Sequence, residues 1–208
     1  MDRLLIEFGN ARAGLIIAGP SGCGKTTRAK ALILRAINTL SRVLVFSASA
    51  VESPEEWSGP WKNKLYISSL SDESLSVAID SAKATKRTGR TKPILFVFDD
   101  VTHILEVSAT LRNTVSGLTT YARHFHIKML MLVHRVPSIL GALARSNLDG
   151  VLASARTSSS DATLIGEENG YNADAHKRKK ISSIFAENIK TGGHRFIYIS
   201  AGELFIVG

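Results

Sequence analysis

The chain has 208 residues, 44% hydrophobic and 21% charged, a length and balance that fit one globular domain and exclude a disordered, core-poor polymer. Lysine and arginine number 26 against 18 acidic residues, a net charge of +8, which favours phosphate-bearing partners, nucleic acid among them, without singling one out. The apolar runs Leu15 to Ala18, Ile94 to Phe98 and Met129 to Val133 are far shorter than the roughly 18 residues needed to cross a bilayer, so no membrane insertion is expected.

The first residues, Met1 to Glu7, place acidic groups on both sides of Leu4-Leu5-Ile6. A secretory signal has a basic start and a long apolar centre, so an intracellular location is expected. Cys23 is the single cysteine, which excludes an internal disulfide and a multi-thiolate metal site.

Short apolar runs then alternate with longer amphipathic stretches, the pattern of an α/β domain around a mainly parallel sheet. Gly14 to Ala18 reads as a strand, followed by a glycine-rich turn and a helix from about Lys25 to Leu40 with Ala29, Leu32, Ile33 and Ile37 at helical spacing. Val43 to Phe46 is a second strand. The stretch from Ser47 to Lys64, with Pro54, Gly59, Pro60, Trp57 and Trp61, is too broken for a long element and long enough to be a functional insert. Trp57 and Trp61 are expected to anchor it on its own domain.

A short strand over Leu65 to Ile67 precedes a helix from Asp72 to about Ala84, capped by Ser71 or Asp72, and a basic exit loop from Lys86 to Lys92. Ile94 to Phe98 reads as a strand buried on both faces that opens to Asp99-Asp100. Helix is expected over Leu105 to Tyr121, then a strand over Met129 to Val133 ending in His134-Arg135, a strand over Gly150 to Ser154, and a helix beginning at Ser158. A basic run lies at His176 to Lys180, and Phe196 to Val207 reads as a β-hairpin around Gly202 that closes a sheet edge.

The segment Gly19-Pro20-Ser21-Gly22-Cys23-Gly24-Lys25-Thr26 matches G-x-x-x-x-G-K-[ST] between a strand and a helix, as a phosphate-binding loop requires. Glycines let successive backbone N–H groups curl around a β-phosphate, and the helix N-terminus adds partial positive charge. Gly19, Ser21, Gly22, Cys23 and Gly24 form this cradle. Lys25 is placed to bridge the β- and γ-phosphates, Thr26 to put its hydroxyl on Mg²⁺ and Thr27 to meet the α-phosphate. The Asn/Thr-Lys-x-Asp motif that reads guanine is absent, which makes ATP the default nucleotide by exclusion. Cys23 is expected as a small residue in a crowded turn, with a reactive thiol as the alternative.

Asp99 has the position of the acid that holds the metal, and Asp100 that of the group polarising the attacking water, with a turn or cap residue as the alternative role. His134 would reach the γ-phosphate if its strand lies between those of the phosphate loop and Asp99. His124 and His126 read as surface or hydrogen-bonding residues, without neighbouring metal ligands. Arg145 and Arg156 flank the fourth long strand and are candidates to complete a neighbour's site, ahead of Arg123 and Arg135.

Together these features resemble the genome-packaging ATPases of DNA viruses in the FtsK/HerA branch of P-loop ATPases. The resemblance runs from about Gly14 to Arg156. Beyond the phosphate loop, it rests on Asp99-Asp100, on Tyr121 to Ile127 leading into a strand with a polar end, and on Arg145-Ser146-Asn147-Leu148-Asp149. It implies a three-layer P-loop domain with the His134 strand inserted between the two motif strands, assembled as a homo-oligomeric ring that pulls double-stranded DNA into a preformed capsid. It further implies capsid or portal-vertex partners, and a place in host cytoplasm or nucleus at virus assembly sites or with the virion. The chain departs from the family at His134, where an amide is usual, and at Asp100, where glutamate is usual; Glu106 is the less favoured substitute base. Pore-facing DNA contacts would come from Lys86 to Lys92 or Lys177 to Lys180, each otherwise a solvated face. A small-molecule kinase and a non-motor nucleotide switch are the alternatives from other functional classes.

Overall fold

The computed structural model describes residues 14–89, 92–135, 141–167, 183–187, 195–200 and 203–207. Met1 to Glu7, the basic run His176 to Lys180 and the hairpin glycine Gly202 lie outside the described residues.

Eight strands join in one sheet: β1 (Gly14–Ala18), β2 (Arg42–Phe46), β3 (Leu65–Ser68), β4 (Ile94–Asp99), β5 (Ile127–Val133), β6 (Gly150–Ser154), β7 (Phe196–Ser200) and β8 (Glu203–Val207). Their spatial order is β3-β2-β4-β5-β1-β6-β7-β8. The first six run parallel, while β6 with β7 and β7 with β8 are antiparallel. The expected α/β class and the C-terminal hairpin at a sheet edge are borne out.

Among the helices of the described residues are α1 (Lys25–Ala36), α2 (Ala48–Glu52), α3 (Asp72–Arg87), α4 (Thr102–Val107), α5 (Ala109–Tyr121), α6 (Ala142–Ser146) and α7 (Ser159–Gly166). In α1, Ala29, Leu32, Ile33 and Ala36 form one buried stripe at helical spacing. This helix stops at Ala36 rather than Leu40, because the chain tightens into i→i−3 bonds at Thr39 and Leu40 and Lys64 Nζ caps the carbonyls of Ile37 and Leu40 at 2.7 and 2.9 Å. Helix α3 starts at a reciprocal Ser71–Ser74 capping box. The single helix expected over Leu105 to Tyr121 is two, split at Ser108, whose Oγ accepts the Leu111 N–H at 3.2 Å and caps α5. Two other segments differ: Ser47 to Lys64 holds α2 and two 3-10 turns, and Ala142–Ser146 is helical.

Strand alternation sorts the core into two layers. Ile16, Phe46, Phe96, Phe98, Met129 and Met131 face α3 and α5. Leu15, Ile17, Val43, Val45, Leu95, Val97, Leu130 and Leu132 face the other way, against α1 and the two tryptophans of the β2–β3 insert. Continuing this alternation, Asp99 follows Leu95 and Val97 and lies on the α1 side. His134 follows Leu130 and Leu132 onto the same side.

Candidate functional site

The phosphate loop leaves β1 at the carboxyl edge of the sheet. Gly19 is clamped there, its N–H donating to the Val133 carbonyl at 3.1 Å, and an added Cβ would lie 2.6 Å from Ser154 Cβ and 2.7 Å from Cys23 Sγ. Gly22 and Gly24 take left-handed φ values of 70° and 94°, which side-chain-bearing residues adopt only with strain. Gly24 caps α1 without any side-chain hydrogen bond, so no side chain competes for the first-turn donors. Lys25 Nζ folds back over the loop, donating to the Gly19 and Pro20 carbonyls at 2.9 and 3.2 Å.

A cavity of about 450 Å³ opens beside this loop. Ser21, Gly22, Gly24, Lys25, Thr26 and Thr27 form one wall; Asp99, Asp100 and His134 form another. Gly19 and Cys23 support the turn from below, and the Cys23 side chain is buried, which opposes a reagent-accessible thiol. Ser49 and Glu56 complete the lining. Neither had been singled out from sequence; the only signal was the unusual length of the β2–β3 connection.

Asp99 ends β4 opposite Leu132 of β5, and it is only 8% exposed. Burial first, then the charges of Asp100 and Glu56, push its carboxyl up to about 6, with Lys25 and the Trp57 indole N–H acting in the opposite sense. That indole N–H is buried and makes no hydrogen bond of ordinary geometry among the described residues. A desolvated carboxylate beside further negative charge calls for a cation, and Thr26 lines the same cavity. Among the described residues no three His, Cys, Asp or Glu side chains gather to hold a metal alone. Asp99 and Thr26 offer the one or two protein oxygens that Mg²⁺ takes, its shell being completed by phosphate and water.

Asp100 turns away from Asp99 through a left-handed backbone, φ 52°, and its side chain is 64% exposed. Its Oδ1 lies 3.2 Å from His134 Nε2. The two adjacent carboxylates therefore have different settings, one buried against α1 and the insert, the other open and paired with imidazole.

The remaining candidates are scattered. Arg156 follows β6 beside the loop and is exposed, its N–H donating to Ser154 Oγ. Arg145 is on α6, four residues before Asp149, whose carboxylate accepts the Gly14 N–H at 2.8 Å where β1 begins; this is the opposite edge of the sheet. Arg135 faces buried Asp161, Nε to Oδ2 3.7 Å. Arg123, His124 and His126 lie before β5, far from the cavity, and Lys86 Nζ bonds the His124 carbonyl. Glu106, on α4, is outside the lining. Trp57 and Trp61 are buried, with Trp61 Nε1 donating to the Trp57 carbonyl at 3.0 Å, as expected of anchors.

The profile of the family described as Poxvirus A32 protein matches residues 7–206. The chain belongs to the poxvirus A32 protein family. Comparison with curated proteins gives no match. Among solved structures, the A32-family chain is similar to B204, the DNA-packaging ATPase of Sulfolobus turreted icosahedral virus, with 14% identity and TM-score 0.66 over 96% of this chain and 98% of that one. It is also similar to the genome-packaging NTPase B204 of Sulfolobus turreted icosahedral virus 2 in complex with ATP-gammaS, with 12% identity and TM-score 0.61 over 94% and 96%. The pCW3 conjugation coupling protein TcpA, with ATPgS, shares 12% identity and TM-score 0.65 over 95% of this chain and 60% of its own. At these identities the likeness carries the fold, and the fold is the one the family resemblance implied: β5 lies between the phosphate-loop strand β1 and the Asp99 strand β4.

Proposed function

We propose that the A32-family chain is an ATP-hydrolysing, DNA-translocating motor that packages double-stranded viral DNA. The observation that carries this reading is the insertion of β5 between β1 and β4, which brings Lys25, Thr26, Asp99, Asp100 and His134 to one cavity. The chain's family membership and its fold likeness to packaging ATPases support the same reading.

The loop from Gly19 to Thr27 binds the triphosphate through backbone donors, and Lys25 leaves its carbonyl partners to meet the β- and γ-oxygens. Thr26 and Asp99 would hold Mg²⁺, whose charge would offset that developing on the phosphate oxygens. Asp100 orients the attacking water, with His134 fixing the carboxylate and reporting the state of the γ-phosphate. Water attacks phosphorus, the bond to the bridging oxygen breaks, and ADP departs with that electron pair. Protomers form a ring as single ATPase domains, and an arginine of one completes the site of the next. Arg145 is the residue read from sequence for this part, while Arg156 stands at the catalytic edge.

Duplex DNA contacts are mostly to phosphates and do not read bases. The basic stretch Lys86 to Lys92 or the run Lys177 to Lys180, the latter outside the described residues, would supply these contacts. Capsid or portal-vertex proteins receive the motor at assembly sites in the infected cell, in cytoplasm or nucleus. The deciding experiment is the ATPase rate with and without duplex DNA across protein concentration. Stimulation by DNA and a specific activity that rises with concentration are expected. Phosphate transfer to a metabolite without DNA stimulation would assign a kinase instead, and slow DNA-independent turnover a switch.

A further inference from the structure

The β2–β3 insert brings a third carboxylate to the phosphate site. Glu56 stands on a 3-10 turn, Pro54–Trp57, that is fixed on both sides. Its backbone carbonyl accepts from Lys30 Nζ at 2.7 Å, its N–H donates to the Ser53 carbonyl at 3.1 Å, and Trp57 beside it is fully buried. The Glu56 side chain, by contrast, makes no hydrogen bond or ion pair among the described residues, and it lines the cavity shared by Lys25, Thr26, Asp99, Asp100 and His134. Its negative charge is felt at Asp99.

The two carboxylates other than Asp99 are thus differently engaged. Asp100 has one oxygen against the His134 imidazole, which fixes its direction. Glu56 is held by its backbone, and among the described residues neither of its oxygens is claimed. A water molecule attacking the γ-phosphate gives up one proton and keeps the other as the hydroxyl of product phosphate, so one carboxylate can hold the water while another, not already engaged, receives that proton.

We propose that Glu56 is a second catalytic carboxylate of this site, accepting the proton of the attacking water while Asp100, held by His134, orients that water. This rests on the nucleotide-hydrolysis reading above. The water O–H bond breaks and its proton goes to a Glu56 oxygen as the new O–P bond forms. The bond from γ-phosphorus to the bridging oxygen breaks, and its electron pair stays on ADP. Glu56 then passes the proton to product phosphate.

The test compares full-length wild type with Glu56→Gln, Glu56→Asp and Asp100→Asn in steady-state MgATP hydrolysis, with ATPγS binding and thermal melting in parallel. Glu56→Gln is expected to lower kcat by about 10²-fold while KM, ATPγS affinity and melting temperature stay unchanged, and Glu56→Asp to restore part of the rate. Wild-type turnover in Glu56→Gln, with turnover lost in Asp100→Asn, would overturn this role and leave the ATPase reading intact. Affinity lost in step with kcat would overturn it too, making Glu56 a binding residue. A wild type that hydrolyses no ATP would instead refute the function on which the role rests.

Discussion

Asp99 shows how far the role proposed for one residue opposes its stability. Its carboxyl is raised to about 6 by burial and by two neighbouring carboxylates, so the folded nucleotide-free protein holds that proton more tightly than the unfolded chain does. Stability from this group is fully present below about pH 4 and is lost as pH rises through 6, a loss of roughly 3 kcal/mol by linkage. Asp99→Asn is therefore expected to melt higher than wild type at pH 8, to match it near pH 4, and to lose Mg²⁺-dependent nucleotide binding; a variant less stable at pH 8 would contradict the account. Lys25→Ala is expected to abolish tight triphosphate binding, and Asp100→Asn to spare binding while slowing hydrolysis, both read by ATPγS titration and phosphate release. The phosphate loop and Asp99-Asp100 were legible because residue type and a flanking buried strand specify them locally. The Asp100–His134 contact depends on strand order, which a local pattern does not reveal. Glu56 was illegible because nothing in Pro-Glu-Glu-Trp says that its turn folds back over the end of β4.

At the scale of elements, the β2–β3 insert behaves as a small wedge of core. Trp57 and Trp61 bury their rings against the α1 layer, Trp61 donates to the Trp57 carbonyl, and Lys30 and Lys64 tie the segment to α1 and its end. Trp57→Ala empties a fully buried site and is expected to cost about 3–5 kcal/mol in denaturant unfolding, whereas Trp57→Phe keeps most of the ring volume and costs less. The strands were readable as apolar runs because β1, β4 and β5 are covered on both faces. Helix boundaries were read less well at Ala36 and Ser108, where a lysine from a distant turn and a single serine hydroxyl decide where helices end or begin. Gly14 carries another non-local constraint, since a Cβ there would meet the Met129 carbonyl oxygen at 2.0 Å. Gly14→Ala is expected to displace β1 or β5 and lower the melting temperature sharply, with nucleotide binding lost alongside.

For the whole molecule, the phosphate edge and the opposite edge of the sheet carry different cations. Arg156 is beside the phosphate loop, and Arg145 is near the start of β1. A ring in which one subunit completes its neighbour's site makes these two arginines distinguishable. Mixing an Arg156→Ala or Arg145→Ala subunit with a Lys25→Ala subunit is expected to restore hydrolysis only for the arginine that acts between subunits, because the mixed ring then contains one intact composite site. DNA stimulation is expected to fall steeply between about 50 and 200 mM salt, since phosphate contacts release counterions. Salt-independent stimulation would argue against a backbone-tracking surface.

The central position of β1 has a consequence for biogenesis. Its two neighbours are Met129 to Val133 on one side and Gly150 to Ala153 on the other, more than a hundred residues later in the chain. As synthesis proceeds from the N-terminus, the first strand and its loop emerge long before either flank exists. The cradle stays unformed on the ribosome until β5 and β6 arrive. Nascent chains arrested before residue 127 should therefore fail to retain immobilised ATP, whereas those arrested after the last strand has cleared the exit tunnel should retain it.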